Sequence, residues 1–378
     1  MKRRHFFYLL GTLLFFSATS SFKKAKSLGV SETRFAQLTG GINLSHWLAQ
    51  TDLTPENFQT SVTSQDIKQI REMGFRHVRL PLDPDVLLND KHPEKLNLEH
   101  LKYLDRSLEM ILAENLAVIL EIHPTSQFKQ RLYKDVNFVT KFAQFWQTLA
   151  AHVSKLNPEM VFLEVLNEPD PPNPQTWYRI QEKLLLAMRI GAPKHTLIAS
   201  ANQRVGDNWD TLKALPLLTP VQDSNVVYNF HFYQPKHFTH QGANWGWSVL
   251  RHFANVPYPS SPEAVAPLLP KIRDETARKF LYGYGQQNWN AKKIEEKISH
   301  AVSWAKNHGV RLTCNEFGVY RKVAPVQDRL NWLRDVRSIL EKHQIGWAMW
   351  DYKGGFGVMI KRNGKYVPDQ DTIEALFG

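Results

Sequence analysis

The chain has 378 residues, 43% of them apolar and 12% aromatic, with a formal net charge of +11 and a single cysteine. That composition suits a globular protein with a large core and excludes a disordered chain. With Cys314 alone no internal disulfide can form, and the charge is spread along the sequence instead of gathered into the basic-aromatic stripe of a nucleic-acid binder.

The N-terminus reads as a targeting segment. "MKRRH" is a basic start, and "FFYLLGTLLFF" is an apolar run too short to span a bilayer comfortably. Small residues at Ala18-Thr19-Ser20 place a cleavage near Ser20, so residues 1–20 are expected to be removed from a secreted or periplasmic protein that keeps no stable membrane span. Lys23, Lys24 and Lys26 fall in an expected basic linker over 21–35, and a single folded domain is expected over 36–378.

From there short β-rich runs alternate with longer segments of helical spacing. The candidate strands are "GGINLS" (40–45), "HVRLP" (77–81), "AVILEIHP" (117–124), "VFLEVLNEP" (161–169), "TLIASAN" (196–202), "VVYNFHFY" (226–233), "RLTCNEFG" (311–318) and "IGWAMWDY" (345–352). Between them, "SQDIKQIREMG" starts on a Ser cap and ends on Gly74, and "NLEHLKYLDRSLEMILAEN" sets Leu98, Leu101, Leu104, Leu108 and Ile111 on one face. Alternating β and α implies a parallel sheet, and eight such units imply a closed (β/α)8 TIM barrel. Residues 234–290, after the sixth strand, break the rhythm. An insertion of that length is expected to be functional or to contain short helices of its own.

In such a barrel the active site lies at the C-terminal ends of the strands. Those ends carry Arg79, His123, Asn167-Glu168, His231 and Tyr233, Glu316 within "CNEFG", and Trp350. Two carboxylates on different strands suit glycoside hydrolysis, in which one acid protonates the leaving oxygen and a second carboxylate attacks or activates water. Sequence spacing does not say which Glu does which.

The motifs "RLP", "EIHP", "LNEP", "HFY", "NEFG" and "WDY", in this order and on these strands, together resemble glycoside hydrolase family 5, the cellulase-type retaining β-glycanases. The resemblance covers roughly residues 36–378. It implies that Glu168 is the acid/base and Glu316 the nucleophile, that Asn167 binds the 2-hydroxyl of the reacting sugar, and that Arg79 and Tyr233 hold Glu316. It further implies that His123 and His231 line the same subsite, with Trp350 as its floor. "GINLSHWL" is similar to the family's first strand, although many members carry Gly-Asn or Gly-Gly where this chain has Ser45-His46; His46 and Trp47 are expected in the cleft.

The remaining residues divide by setting. Trp245 and Trp247 are candidate sugar platforms, while Trp146, Trp304 and Trp332 sit in helical patterns and are expected in the core. Glu121 and Glu164 share side-chain parity with His123 and Glu168, so a buried polar network inside the barrel is expected. Cys314, in an apolar run, is expected to be a buried small hydrophobe. No metal-binding, nucleotide-binding or serine-hydrolase motif is present, so neither cofactor nor metal is implied. The expected partner is a β-linked polysaccharide and the expected state a monomer; a β-1,4-glucan cut internally is the first substrate, with other β-glycans or a catalytically inactive polysaccharide-binding barrel as alternatives.

Overall fold

A computed structural model describes residues 30–378. Eight parallel strands close into a barrel in sequence order: β1 (Thr39–Asn43), β2 (His77–Leu82), β3 (Ala117–Ile122), β4 (Val161–Glu164), β5 (Thr196–Ser200), β6 (Val226–Phe232), β7 (Arg311–Phe317) and β8 (Gly346–Met349). All eight expected strands are present. Several end earlier than their sequence runs, β4 at Glu164 and β8 at Met349, because the chain leaves the ladder there to build the mouth of the barrel. After β8 comes an antiparallel hairpin, β9 (Met359–Arg362) and β10 (Lys365–Pro368), which the sequence reading did not anticipate.

A helix follows each strand, although the one after β5, Thr211–Ala214, is a single turn. The helix Ser64–Glu72 is capped by Thr63 and not by Ser64: Thr63 and Asp66 form a reciprocal capping box, and Ser64 is its first residue. In the helix Leu98–Ala113, Leu101, Leu104, Leu108 and Ile111 are buried as the spacing predicts, but Leu98 in the first turn is 76% exposed. The 234–290 insertion does contain helices of its own, the longest being Glu275–Gln286. Among the described residues, no helix is long and apolar enough to cross a membrane.

The barrel interior changes character along its axis. At its N-terminal end Ile119, Phe162, Ile198 and Val227 meet Val30, Phe35 and Leu38, which close the bottom. The segment from Val30 is therefore packed and not linker: Ser31 caps the helix Glu32–Ala36, and Arg311 bonds the Val30 carbonyl and the Glu32 carboxylate. The expected signal segment, its cut near Ser20 and the lysines at 23–26 lie outside the described residues. Gly41 sits at this end because a Cβ there would lie 2.0 Å from the His77 ring.

Helix tryptophans fix where the strands let go. Trp146 donates its indole N–H to the Val165 carbonyl at 3.0 Å, and Trp177 donates to Ser200 at 2.8 Å. Trp332 likewise donates to Gln234 just past β6, and Trp304 to Leu218 at the end of the 3-10 turn Leu215–Leu217, so the expected core tryptophans also satisfy carbonyls where regular structure stops.

Candidate active site

Toward its C-terminal end the barrel interior becomes polar. Inward-facing residues of neighbouring strands, Asn43, Arg79, Glu121, Glu164, Asn229 and Asn315, are all buried. Arg79 lies at the centre. Its Nε and Nη2 hold Glu164 at 3.0 and 2.8 Å, Nη1 holds Asn43 Oδ1 at 2.9 Å and Glu316 Oε1 at 2.7 Å, and Nη2 also reaches Asn167 Oδ1 at 3.1 Å. Burial opposes the guanidinium charge, but Glu121, Glu164 and Glu316 around it outweigh that and raise its pKa. The expected network of Glu121 and Glu164 is thus the platform on which the site stands.

Glu316 ends this network. Arg79 bonds one carboxylate oxygen, and Tyr233 Oη donates to the other at 3.0 Å. Tyr233 is itself kept a phenol, its pKa raised by burial and by Glu316 and Glu168. Between Phe230 and His231 the β6–β7 register shifts, which brings His231 opposite Glu316.

Glu168 comes from the other side of the mouth. Beyond Glu164 the chain curls, Asn167 N–H bonding the Ile122 carbonyl, and Glu168 adopts a left-handed backbone with φ 42°. Such a conformation costs a side-chain-bearing residue on the order of 1 kcal/mol, and it turns Glu168 back over the cavity. His231 Nδ1 meets Glu168 Oε1 at 3.0 Å and Glu316 Oε2 at 3.5 Å. Burial works against charge on Glu168, but His231, Lys129 and Lys236 prevail and hold its pKa below the usual carboxylate range. His231 is shifted upward: burial disfavours its charge, and Glu316 and Glu168 favour it more strongly. The Asn229 amide, whose oxygen is occupied by the Asn315 N–H, turns its NH2 toward His231 Nε2 at 3.3 Å. In either charge state the ring therefore offers its Nδ1–H to Glu168.

A second histidine fixes Asn167. With Asn167 Oδ1 taken by Arg79, its Nδ2 donates to His123 Nε2 at 3.2 Å, so His123 must carry its proton on Nδ1, which donates to Glu121 Oε2 at 3.2 Å. One N–H of Asn167 remains for a ligand.

These groups open into a cavity of about 620 Å³. Of the expected site residues, His46, His123, Asn167, Glu168, Tyr233, Trp245, Glu316 and Trp350 line it. Three do not. Arg79 is completely buried beneath the cavity and bonds Glu316 from there, and His231, 4% exposed, lies between Glu168 and Glu316. Trp47 faces the core, its indole N–H held by the Phe58 carbonyl at 2.9 Å, because the chain turns through His46 and points the next side chain inward. Gln50, Lys236, His240, Tyr320, Asp351 and Phe356 also line the cavity and were not singled out from sequence. Asp351 lay within the quoted "WDY"; Lys236, His240 and the platform candidate Trp247 belong to the insertion.

Cys314 is buried beside β8 and its thiol pKa is raised by burial, so it is no nucleophile. Among the described residues, the one cluster of three metal-ligand-type side chains is Glu168, His231 and Glu316, whose atoms lie within 4.8 Å of one another. There Arg79 already supplies a fixed positive charge, 2.7 Å from Glu316.

Residues 39–355 match the family model described as Cellulase (glycosyl hydrolase family 5). Endoglucanase C of Acetivibrio thermocellus is 31% identical over 321 residues, 83% of this chain and 90% of that protein. Cellodextrinase A of Ruminococcus flavefaciens is 28% identical over 81% of this chain and 82% of its own length. Among solved structures, endoglucanase Cel5A from Thermotoga maritima superposes with a TM-score of 0.73 at 26% identity, covering 91% of this chain and 98% of that one.

Proposed function

The chain belongs to glycosyl hydrolase family 5 and is a glycoside hydrolase, and on that premise we propose that it is an exported endo-β-1,4-glucanase acting with retention of configuration. The observation that carries the reading is the separation of the two carboxylates. One oxygen of Glu168 and one of Glu316 lie within 4.8 Å of each other, which suits the close spacing of a retaining pair, about 5–5.5 Å between carboxyl groups, better than the about 6.5–9.5 Å of an inverting pair.

In this reading a Glu316 oxygen attacks the anomeric carbon. The bond to the leaving oxygen breaks, and that oxygen takes a proton from Glu168. In the second half, Glu168 as carboxylate takes a proton from water, the water oxygen attacks the same carbon, and Glu316 is released. Arg79 and Tyr233 aim the nucleophile, bonding opposite oxygens. His231, bonded to Glu168, keeps the extra proton of the resting pair within reach of the acid. The free Asn167 N–H suits a sugar 2-hydroxyl, and the Trp350 ring, stacked 6.0 Å from His123, suits the apolar face of the reacting ring.

The names of the relatives favour β-1,4-glucan, and the basic start and short apolar run of the N-terminus favour export. The test is product analysis over purified β-1,4-, mixed-linkage and β-1,3-glucans and β-mannan. Rapid viscosity loss of soluble β-1,4-glucan with mixed cello-oligosaccharide products is expected. Faster cleavage of another β-glycan reassigns the substrate, and inertness on all of them contradicts a hydrolase.

A further inference from the structure

Beside Trp350 the cavity wall contains a short polar chain that the two-carboxylate mechanism does not use. Ser45 Oγ donates to Asp351 Oδ2, and His46 Nδ1 lies 2.9 Å from Ser45 Oγ. Asp351 is completely buried, and its Oδ1 has no hydrogen-bond partner among the described residues, so Ser45 is its one side-chain donor. Burial pushes its carboxyl up to about 6, so above that pH it is a carboxylate that can only accept.

The proton positions then follow by elimination. Ser45 has one hydroxyl hydrogen, and Asp351 takes it. The contact between His46 and Ser45 therefore requires a hydrogen on His46 Nδ1. Burial, with His123 nearby, lowers the His46 pKa and favours the neutral ring. A neutral ring protonated on Nδ1 has a bare lone pair on Nε2, and among the described residues Nε2 has no hydrogen-bond partner. His46 is exposed, lines the cavity and holds a left-handed backbone at φ 59°, the kind of local strain that persists where surroundings over-determine it.

We propose that His46 is a substrate-binding residue whose Nε2 accepts a hydroxyl of the glycone part of the glucan, with Asp351 setting its tautomer through Ser45. The glycone assignment follows from topology and rests on the glucanase reading above. The leaving group lies beside the acid Glu168, at the end of β4, whereas His46 and Asp351 follow β1 and β8, across the closed barrel from it. Ser45 and Asp351 touch no sugar; they are positioning residues.

The test has two arms on the full chain. In the first, 15N-histidine NMR above about pH 7, where Asp351 is ionised, reads the His46 tautomer in wild type and Ser45→Ala. Nδ1–H in wild type and movement toward Nε2–H in the variant are expected; Nε2–H in wild type overturns the proposal. In the second, His46→Ala and His46→Gln are compared with wild type on an aryl β-cellobioside and on cellotetraose. Loss of one glycone hydrogen bond lowers kcat/KM by the same factor on both substrates, about tenfold and mainly through KM, and the Gln carbonyl restores part of it. A change under about twofold on both, or a loss on cellotetraose alone, overturns the assignment. Wild-type turnover is read first: an inert wild type contradicts the glucanase reading, and the tautomer arm still decides the relay.

Discussion

Arg79 Nη1 meets Glu316 Oε1 at 2.7 Å from below, inside a barrel layer that no solvent reaches. The same guanidinium holds Glu164 with two further N–H groups. Nucleophile geometry and barrel stability therefore share one side chain. Arg79→Lys keeps the charge but loses the planar fork, so it is expected to lower kcat about a hundredfold and stability by about 3 kcal/mol. Glucan kinetics and denaturant unfolding on one preparation check both; loss of activity with unchanged stability contradicts the shared role.

Tyr233 separates the two effects. Its hydroxyl bonds only the upper face of the network, at Glu316 Oε2, while its ring packs on His240 and Phe356. Tyr233→Phe is expected to cut kcat roughly tenfold to a hundredfold, the value of one hydrogen bond to a charged group, with the melting temperature unchanged.

The pH profile reports the Glu168–His231 pair. Glu168 is shifted below its ordinary 4.5 and His231 above its ordinary 6.5. The catalytic proton is one extra proton on the pair, so activity should fall only as pH rises past the raised value of that pair, above 6.5. In His231→Gln the proton binds the carboxyl alone, and the alkaline limb should move below 6.5. For stability the signs differ. Glu168 contributes above 4.5 and loses this as pH falls through its lowered pKa; His231 contributes below 6.5 and loses this as pH rises through its raised one. An alkaline limb that does not move in His231→Gln contradicts the shared proton.

Trp47 and Trp245 make opposite predictions from the same residue type. Trp47→Ala removes a buried, hydrogen-bonded ring and should cost about 3–5 kcal/mol of stability in thermal or denaturant unfolding. Trp245 is 46% exposed on the cavity rim, edge-on to Tyr320, so Trp245→Ala should raise KM for cello-oligosaccharides about threefold to tenfold with little change in melting.

Much of this was legible before any fold was drawn. Strand period and strand-end residues gave the barrel, and Glu168, Glu316, Asn167 and Tyr233 fell where motif order put them. What failed did so for local reasons. The resemblance of "GINLSHWL" to the family's first strand puts both His46 and Trp47 in the cleft; a left-handed turn at His46 sends the two side chains apart, and motif matching does not see such a turn. Arg79 holds Glu316 as the motifs imply, but His231, expected to line the subsite, lies below the cavity because a strand-end position does not reveal depth along the barrel axis. Asp351 passed unremarked because its role depends on Ser45, 306 residues away in sequence. The packed start at Val30 was hidden by the charged residues around it, whose partner Arg311 lies on β7.

The central claim is that Glu316 becomes covalently glycosylated. Incubation with a 2-deoxy-2-fluoro-β-cellobioside bearing a good leaving group, followed by peptide mass spectrometry, tests it directly. One added fluorocellobiosyl group is expected on the peptide containing Glu316, and none in Glu316→Ala. A label on Glu168, or turnover of natural substrate by Glu316→Ala at the wild-type rate, would contradict it.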